Sequence, residues 1–387
     1  MAHELSVLLL AIAVVSLFVT LCGHAAALKL LARKRTPGRA TARISILKPL
    51  KGLDEGLHEN LTSLARQRYP EFEMLLGAED ADDPALLIAE QVKRENPTVA
   101  ISVWVCGGRR GLNPKVGNLA QLAERARHPV LLISDSNVRV GPEYLRETAS
   151  ELVDPRVGLV TNILVGTGGR SLGAQLENLH LNTWVLAATA LPRVVANRAC
   201  VIGKSMLFRK VDLETLGGFA SVRDVLAEDY VLGRKFELAG FKVALSRHLV
   251  PTVNQGWPLE RFLNRHLRWG QMRRRVAPAA FFAEALLNPI PLFALAALAN
   301  RSFLGVAAAS SLLKVFADAL LHSRVRNLRV TGTELLLVPI KDLLIAGLWL
   351  LAGVRRRLSW RGNELTIHAG SVLQLAETEA PLQQEAA

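Results

Sequence analysis

The sequence predicts an α/β fold: a mostly parallel sheet covered by helices, with an apolar helix in front of it and a membrane helical region behind it. Three observations carry this. From Arg43 to about Val160 short apolar runs alternate with helical patterns. Leu5 to Leu31 is almost unbrokenly apolar, and further apolar stretches follow Ala279. A βαβα alternation implies parallel strands joined by covering helices, and roughly 20 apolar residues suffice to span a bilayer.

The first stretch is interrupted only by Ser6, Ser16, Thr20, Gly23, His24 and Lys29. A cleaved signal would have a shorter apolar core with basic residues before it, whereas here only Met-Ala-His-Glu precedes it. Residues 1–32 are therefore expected to be a transmembrane anchor. Lys29, Arg33, Lys34, Arg35, Arg39 and Arg43 follow with no acid among them, so the excess of basic residues places the next domain in the cytosol.

That domain, residues 43–278, opens with ISILKPL then HENLTSLARQ, FEMLLGA then PALLIAEQVKRE, VAISVWVC then KVGNLAQLAERA, and PVLLISD before GPEYLRETASEL. Sheets of this kind bind ligands at the carboxyl edge of their strands. Residues 279–356 hold the apolar stretches Phe281 to Ala299, Phe303 to Leu321 and Leu335 to Val354. Lys314 and Asp318 in the second, and Glu284, Pro289 and Pro291 in the first, point to at least one segment lying in the interface. Two crossings and one interfacial helix would leave the basic RRRLSWRGN on the cytosolic side, as the charge rule prefers. Residues 357–387 are then a cytosolic tail, frayed after Leu375.

Lys plus Arg exceed Asp plus Glu by 47 − 34 = 13, which asks for an anionic partner: nucleic acid, membrane lipid or a phosphorylated small molecule. Nucleic-acid binding would interleave aromatic residues with the basic ones. Aromatics are only 5%, and that reading leaves several acids at strand ends unexplained. The three cysteines are widely spaced without a CxxC, so neither a disulfide framework nor a zinc site is indicated.

Asp80 follows FEMLLGAE and Asp135 follows PVLLIS, so both emerge at the ligand-binding edge. Asp82 and Asp83, just before Pro84, read as helix caps. Asp135 with Asn137 two residues on is a weak motif, suited to a hard cation that also grips phosphate. Glu228 and Asp229 open an amphipathic helix, where a carboxylate is a cap or a general base. Arg261, Arg265 and Arg268 share one helical face, with Trp269 beside them.

With these residues in view, the chain resembles the inverting, nucleotide-sugar-dependent family-two glycosyltransferases, and within them the ceramide glucosyltransferase group. The resemblance runs from Ile44 to about Thr366, on SILKPLKGLD, GAEDADDPA, GLNPKVGNL, ISDSNVRV, GKSMLFRK, AEDY and RHLRW in the family's order and spacing, with SWRGNELTI behind the last apolar stretch. It implies a GT-A type, Rossmann-like mixed sheet. It makes Asp80 a nucleotide contact, Asp135 the acid that holds a divalent cation (Mg or Mn) at the diphosphate, and Asp229 the general base. Arg265, Arg268 and Trp269 fall on the (Q/R)xxRW signature that closes over the diphosphate and the acceptor. Lys115 and Glu228 join the substrate-binding set.

The resemblance thus implies a UDP-sugar donor, a membrane-lipid acceptor and an anionic membrane surface as partners. Ala- and Arg-rich composition and short basic loops look bacterial, and a bacterial branch of the group adds N-acetylglucosamine to hopanoid polyols. In animal ceramide glucosyltransferases a histidine follows the corresponding threonine by two positions, where a gap-free alignment puts Val185. A hopanoid acceptor in a bacterial inner membrane is accordingly the leading expectation, with glucose transfer to ceramide as the alternative. A membrane-tethered, non-catalytic binder of anionic ligands is the weaker one. Three apolar stretches and one anchor are too few for the channel of a processive polysaccharide synthase. His180 and His266 are expected to be structural, and Arg273, Arg274 and Arg275 to meet lipid headgroups, at about 1 kcal/mol each near an anionic leaflet.

Overall fold

The computed structural model describes residues 2–32, 40–108, 110–355, 357–360 and 363–375. Most of the basic run after the first helix and the tail beyond Leu375 lie outside the described residues. Seven strands form one sheet: β1 (Ile44–Leu50), β2 (Phe72–Ala78), β3 (Ala100–Val105), β4 (Val130–Ser134), β5 (Val157–Gly168), β6 (Ser205–Arg209) and β7 (Lys242–Asn254). Their order is β3-β2-β1-β4-β6-β5-β7. The first four strands are parallel, β6 runs antiparallel to both β4 and β5, and β7 is parallel to β5.

β1 and β2 coincide with the ISILKPL and FEMLLGA runs. Strands buried on both faces read as continuous apolar stretches, and Ile44, Ile46, Leu47, Met74 and Leu76 are all fully buried. The reversal at β6 matters most for the site. Ser205 at its start pairs with Ser134 at the end of β4, so an antiparallel strand brings Gly203 and Lys204 to the edge where parallel strands deliver Asp135.

A long helical stretch runs from Leu172 to Ala196, with Leu181–Val185 wound as a π-segment between α-helical halves. Such insertions re-aim side chains and gather at functional sites. The arginine-rich stretch is one helix, Leu259–Val276. Beyond it, the first apolar stretch is two helices, Pro278–Leu286 and Pro289–Ala299, bent by 58°. Asn288 at the break donates to the Asp342 carbonyl over 2.8 Å.

The helices His3–Ala32, Arg301–Arg326 and Gly332–Val354 are long and apolar enough to cross a membrane. The N-terminal helix packs through Ala13 and Leu17 on Phe293, Ala297 and Ala307, and through Ala26, Ala27 and Leu30 on Leu186 and Leu321. A methyl group on Gly23 would lie 3.1 Å from the Ala187 methyl. The helix Gly332–Val354 meets the arginine helix twice, with Leu337 and Val338 against Phe262 and Ala352 against Leu267.

Charges inside apolar helices must pair inward, and they do. Lys314 bonds Asp318 (2.7 Å) and Asp342, and Lys341 bonds Asp318 (3.1 Å), Asp342 (3.1 Å) and the Thr183 hydroxyl (3.2 Å). His24 of the N-terminal helix reaches Asp318 at 2.9 Å. Finally β8 (Arg357–Trp360), β9 (Asn363–Ile367) and β10 (Leu373–Leu375) form a small antiparallel sheet. It returns to the loop before the helix Glu228–Leu238: Leu226 N–H donates to the Ser371 carbonyl (2.9 Å), Ala227 N–H to the Ser371 hydroxyl (3.0 Å), and Leu373 N–H to the Asp224 carbonyl (2.7 Å).

Candidate active site

Four elements converge on one cleft of about 1000 Å³. The end of β4 supplies Asp135. The helix Pro114–Arg125 starts with Asn113 capping the Lys115 and Val116 N–H groups, which fixes Lys115 in its first turn. The helix Glu228–Leu238 starts with the acid pair, and the arginine helix forms the facing wall. Its Arg261, Arg265, Arg268 and Trp269 all line the cleft.

On one side is an ion-pair array. Lys115 Nζ lies 3.0 Å from Asp135 Oδ1 and 2.9 Å from Glu228 Oε1, and donates to the Gly203 carbonyl at 3.1 Å. Lys204 Nζ lies 3.6 Å from Asp135 Oδ2 and donates to Asn137 Oδ1 at 2.5 Å. Lys48, fully buried on β1, donates to the Asp135 carbonyl and to the Ser134 hydroxyl (3.2 Å). Burial alone would raise the Asp135 carboxyl, but Lys115 and Lys204 together hold it well below the ordinary carboxylate range. Burial lowers Lys48 to about 7 and Lys204 to about 8, against the pull of Asp135. Lys48, Lys115 and Lys204 thus surround Asp135, with Lys115 shared with Glu228, which gathers amines at this edge of the cleft.

Asp229 stands apart from that array. Its Oδ2 accepts from Gly203 N–H and its Oδ1 from Tyr230 N–H, both at 2.8 Å. Burial, then the adjacent Glu228 carboxylate, raises it to about 6, against the opposing pull of Lys115. A carboxylate tuned toward neutrality in a cleft is equipped to accept a proton.

On the facing wall, Arg265 lies 4.5 Å from the Trp269 ring centre and 5.2 Å from that of Trp257, and Arg261 lies 4.2 Å from Trp257. Glu177, fully buried, anchors Arg265 at 3.3 Å and His266 at 2.8 Å. Burial opposes its ionisation, but Arg265 and His266 bring it down to about 2. His266 is thus a buried partner of Glu177, in keeping with a structural role.

Asp80 lies elsewhere. It is exposed in the turn after β2, where its Oδ1 accepts from Asp82 N–H at 3.0 Å, and it is not among the residues lining this cleft. Asp83 caps the next helix through Ala85 N–H, as expected. Arg273 differs from its expected place among lipid headgroups: it pairs with Glu284, lies over Trp184 at 5.6 Å, and lines the cleft. Four residues at this site have no role in the sequence reading: Lys204, Glu177, Trp184 and Lys48. A Lys following a Gly and a Trp within an apolar helix are too common to signal a site, and Lys48 reads as an ordinary strand residue.

Among the described residues no three His, Cys, Asp or Glu side chains converge as a metal site. The oxygen donors at this edge are the Asp135 carboxylate, paired with Lys115 and Lys204, and Asn137 Oδ1, which accepts from Lys204. A cation bound by one carboxylate completes its shell from substrate phosphate, so these residues fit an ion that arrives with a diphosphate, and not a pre-formed cage.

The mixed sheet presents amines and carboxylates at one edge, faced by a helix that carries an arginine ion-paired to a buried glutamate. Residues 8–373 match the sequence model of glycosyl transferase family 21, and the chain belongs to that family. Similar curated proteins include ceramide glucosyltransferase 3 of Caenorhabditis elegans, 28% identical over 253 residues (64% of this chain, 54% of that one). Ceramide glucosyltransferase 1 of the same organism is 27% identical over 257 residues (65% and 54%). The ceramide glucosyltransferase of Komagataella phaffii is 28% identical over 192 residues (44% and 38%). The chain spans about half the length, or less, of these curated relatives. A mannosyltransferase from Pyrobaculum calidifontis, solved with GDP-Man and Mn2+, superposes with a TM-score of 0.53 at 19% identity, covering 90% of this chain and 98% of that one. That likeness establishes the GT-A fold.

Proposed function

We propose that the chain moves a hexose from a UDP-sugar to the hydroxyl of a membrane lipid, with inversion at the sugar. The observation that carries this is the division of the cleft into an amine-rich wall and the separate Asp229 carboxylate. A diphosphate would lie against Lys115, Lys204 and Arg265, with Arg268 and Trp269 closing over it; Asp80, outside the cleft lining, is proposed as the nucleotide contact. Asp229 would take the proton of the acceptor hydroxyl as it attacks the anomeric carbon, and the nucleoside diphosphate would leave with the bonding electrons. Arginine's fork matches two phosphate oxygens, which a lysine cannot do. A divalent cation, Mg or Mn, would be held by Asp135 and Asn137 and would neutralise charge on the diphosphate.

Ceramide with UDP-glucose is the acceptor and donor pair that the names of the relatives support. The hopanoid reading, with N-acetylglucosamine, keeps Val185 and the Ala- and Arg-rich composition in its favour. The apolar helices support residence in a membrane, with residues 1–32 as anchor, 43–278 as a cytosolic catalytic domain facing an anionic leaflet, and 279–356 as membrane and interfacial helices. The return of β8–β10 to Asp224 and Ala227 supports placing residues 357–387 on the catalytic side. Membranes containing the protein, given UDP-glucose or UDP-N-acetylglucosamine with ceramide or a hopanoid polyol, should yield one glycosylated lipid by mass spectrometry. No product from any pair would refute the reading.

A further inference from the structure

Behind the cleft lies a second cavity of about 240 Å³. It shares Trp184, Trp269, Arg273 and Glu284 with the first, so those four side chains form a common wall. Its remaining lining is largely apolar and comes from the broken pair Pro278–Ala299 and the helix Gly332–Val354, including Leu292, Ile345, Ala346 and Trp349. Leu295 and Leu350 also line it and are 51% and 65% exposed, so its mouth opens on the apolar outer face and not on the polar side of the domain. A cavity below the roughly 300–1,000 Å³ of a small-molecule site holds only part of a lipid, and this mouth leaves the rest among lipid-facing side chains.

One polar group in this lining is unsatisfied. His180 is 4% exposed, stacks on Trp184 at 5.3 Å and meets the His266 edge at 4.6 Å. Its Nδ1 is buried without a hydrogen-bond partner. Leaving a buried polar atom unpaired costs about 1–3 kcal/mol, so a nitrogen of this kind beside a cavity calls for a partner. Burial, then His266 and Lys341, pushes this imidazole well below its ordinary value, so it is neutral, with one donor and one acceptor nitrogen.

We propose that this cavity seats the apolar body of the lipid acceptor next to its reacting hydroxyl, and that His180 hydrogen-bonds a neighbouring polar group of that lipid. The inference rests on the lipid-transfer reading and adds to it an acceptor subsite and the residue that selects for polarity beside the reacting hydroxyl. Trp184 and Trp269 would line the passage from this cavity to Asp229, and the Arg273–Glu284 pair would close the wall between acceptor and donor.

The test uses the full-length protein and two photoprobes, ceramide and a hopanoid polyol, each carrying a diazirine in its apolar part. Crosslinks to Pro289–Ala299 and Gly332–Val354, competed by the unlabelled lipid, are expected for the probe that is also glycosylated. Ala346→Phe, which fills the cavity, should raise the acceptor KM about tenfold with UDP affinity unchanged. His180→Phe should do the same on the scale of one lost hydrogen bond, about tenfold at most, and His180→Asn should recover most of the loss. Crosslinking elsewhere by a glycosylated probe, or an unchanged acceptor KM in Ala346→Phe, overturns the subsite. Wild-type protein that binds UDP yet glycosylates neither lipid overturns the lipid-transfer reading itself.

Discussion

Gly203 and Asp229 touch: the glycine N–H donates to Asp229 Oδ2 over 2.8 Å, and a methyl group on the glycine would fall 2.7 Å from that same oxygen. The contact fixes the carboxylate and leaves no room for a side chain. Gly203→Ala should therefore displace Asp229 and lower kcat at least tenfold while UDP affinity, measured calorimetrically, stays near wild type. An active Gly203→Ala enzyme would show that Asp229 has freedom the contact denies it.

With Asp229 raised to about 6, its proposed role as base predicts a pH limb. A base must be ionised to accept a proton, so kcat should be steady above this value and fall tenfold per unit below it. Asp229→Asn should abolish that limb and reduce transfer by about 10²–10⁴, the usual contribution of a general base. Rate profiles from pH 4.5 to 8 on wild type and variant measure both.

Lys115 lies between Asp135 and Glu228 at 3.0 and 2.9 Å. Removing one partner of a buried pair typically costs about 3–5 kcal/mol, and here two acids would face each other across the gap. Lys115→Met should lower the thermal midpoint and weaken UDP binding, both visible in thermal unfolding with and without UDP. A variant as stable as wild type would mean that the acids find other partners.

Ser371 receives the Ala227 N–H, two residues before Asp229. Ser371→Ala should strand that donor at a cost of about 1–3 kcal/mol. Transfer should drop several-fold with little change in UDP affinity. Wild-type kcat in the alanine variant would remove the C-terminal sheet from any part in placing the base.

The parts of this molecule that follow a local rule were legible in the sequence. β1 and β2 are uninterrupted apolar runs, Asp83 is a cap before a proline, and the acid pair at Glu228 opens its helix. What escaped depends on partners distant in the chain. Nothing near Ser205 announces that β6 runs against β4, so Lys204 could not be placed beside Asp135. Trp184 lies in a π-segment, where the extra residue shifts the facing of side chains and defeats a count at 3.6 residues per turn. Arg273 reads as part of a basic run, yet the break at Ala277, between the arginine helix and Pro278–Leu286, turns the chain so that Glu284 meets it.

The charges shared by Lys314, Asp318, Lys341 and Asp342, with His24 joined to them, bear on biogenesis. Each such residue carried alone to the middle of a bilayer costs about 2.5–3.5 kcal/mol on insertion scales. If these helices enter a bilayer, they would do so poorly one at a time and far better together, with the N-terminal helix beside them. The carboxylates and amines set in an apolar segment would then act as an assembly code, each neutralised only when its partners stand alongside.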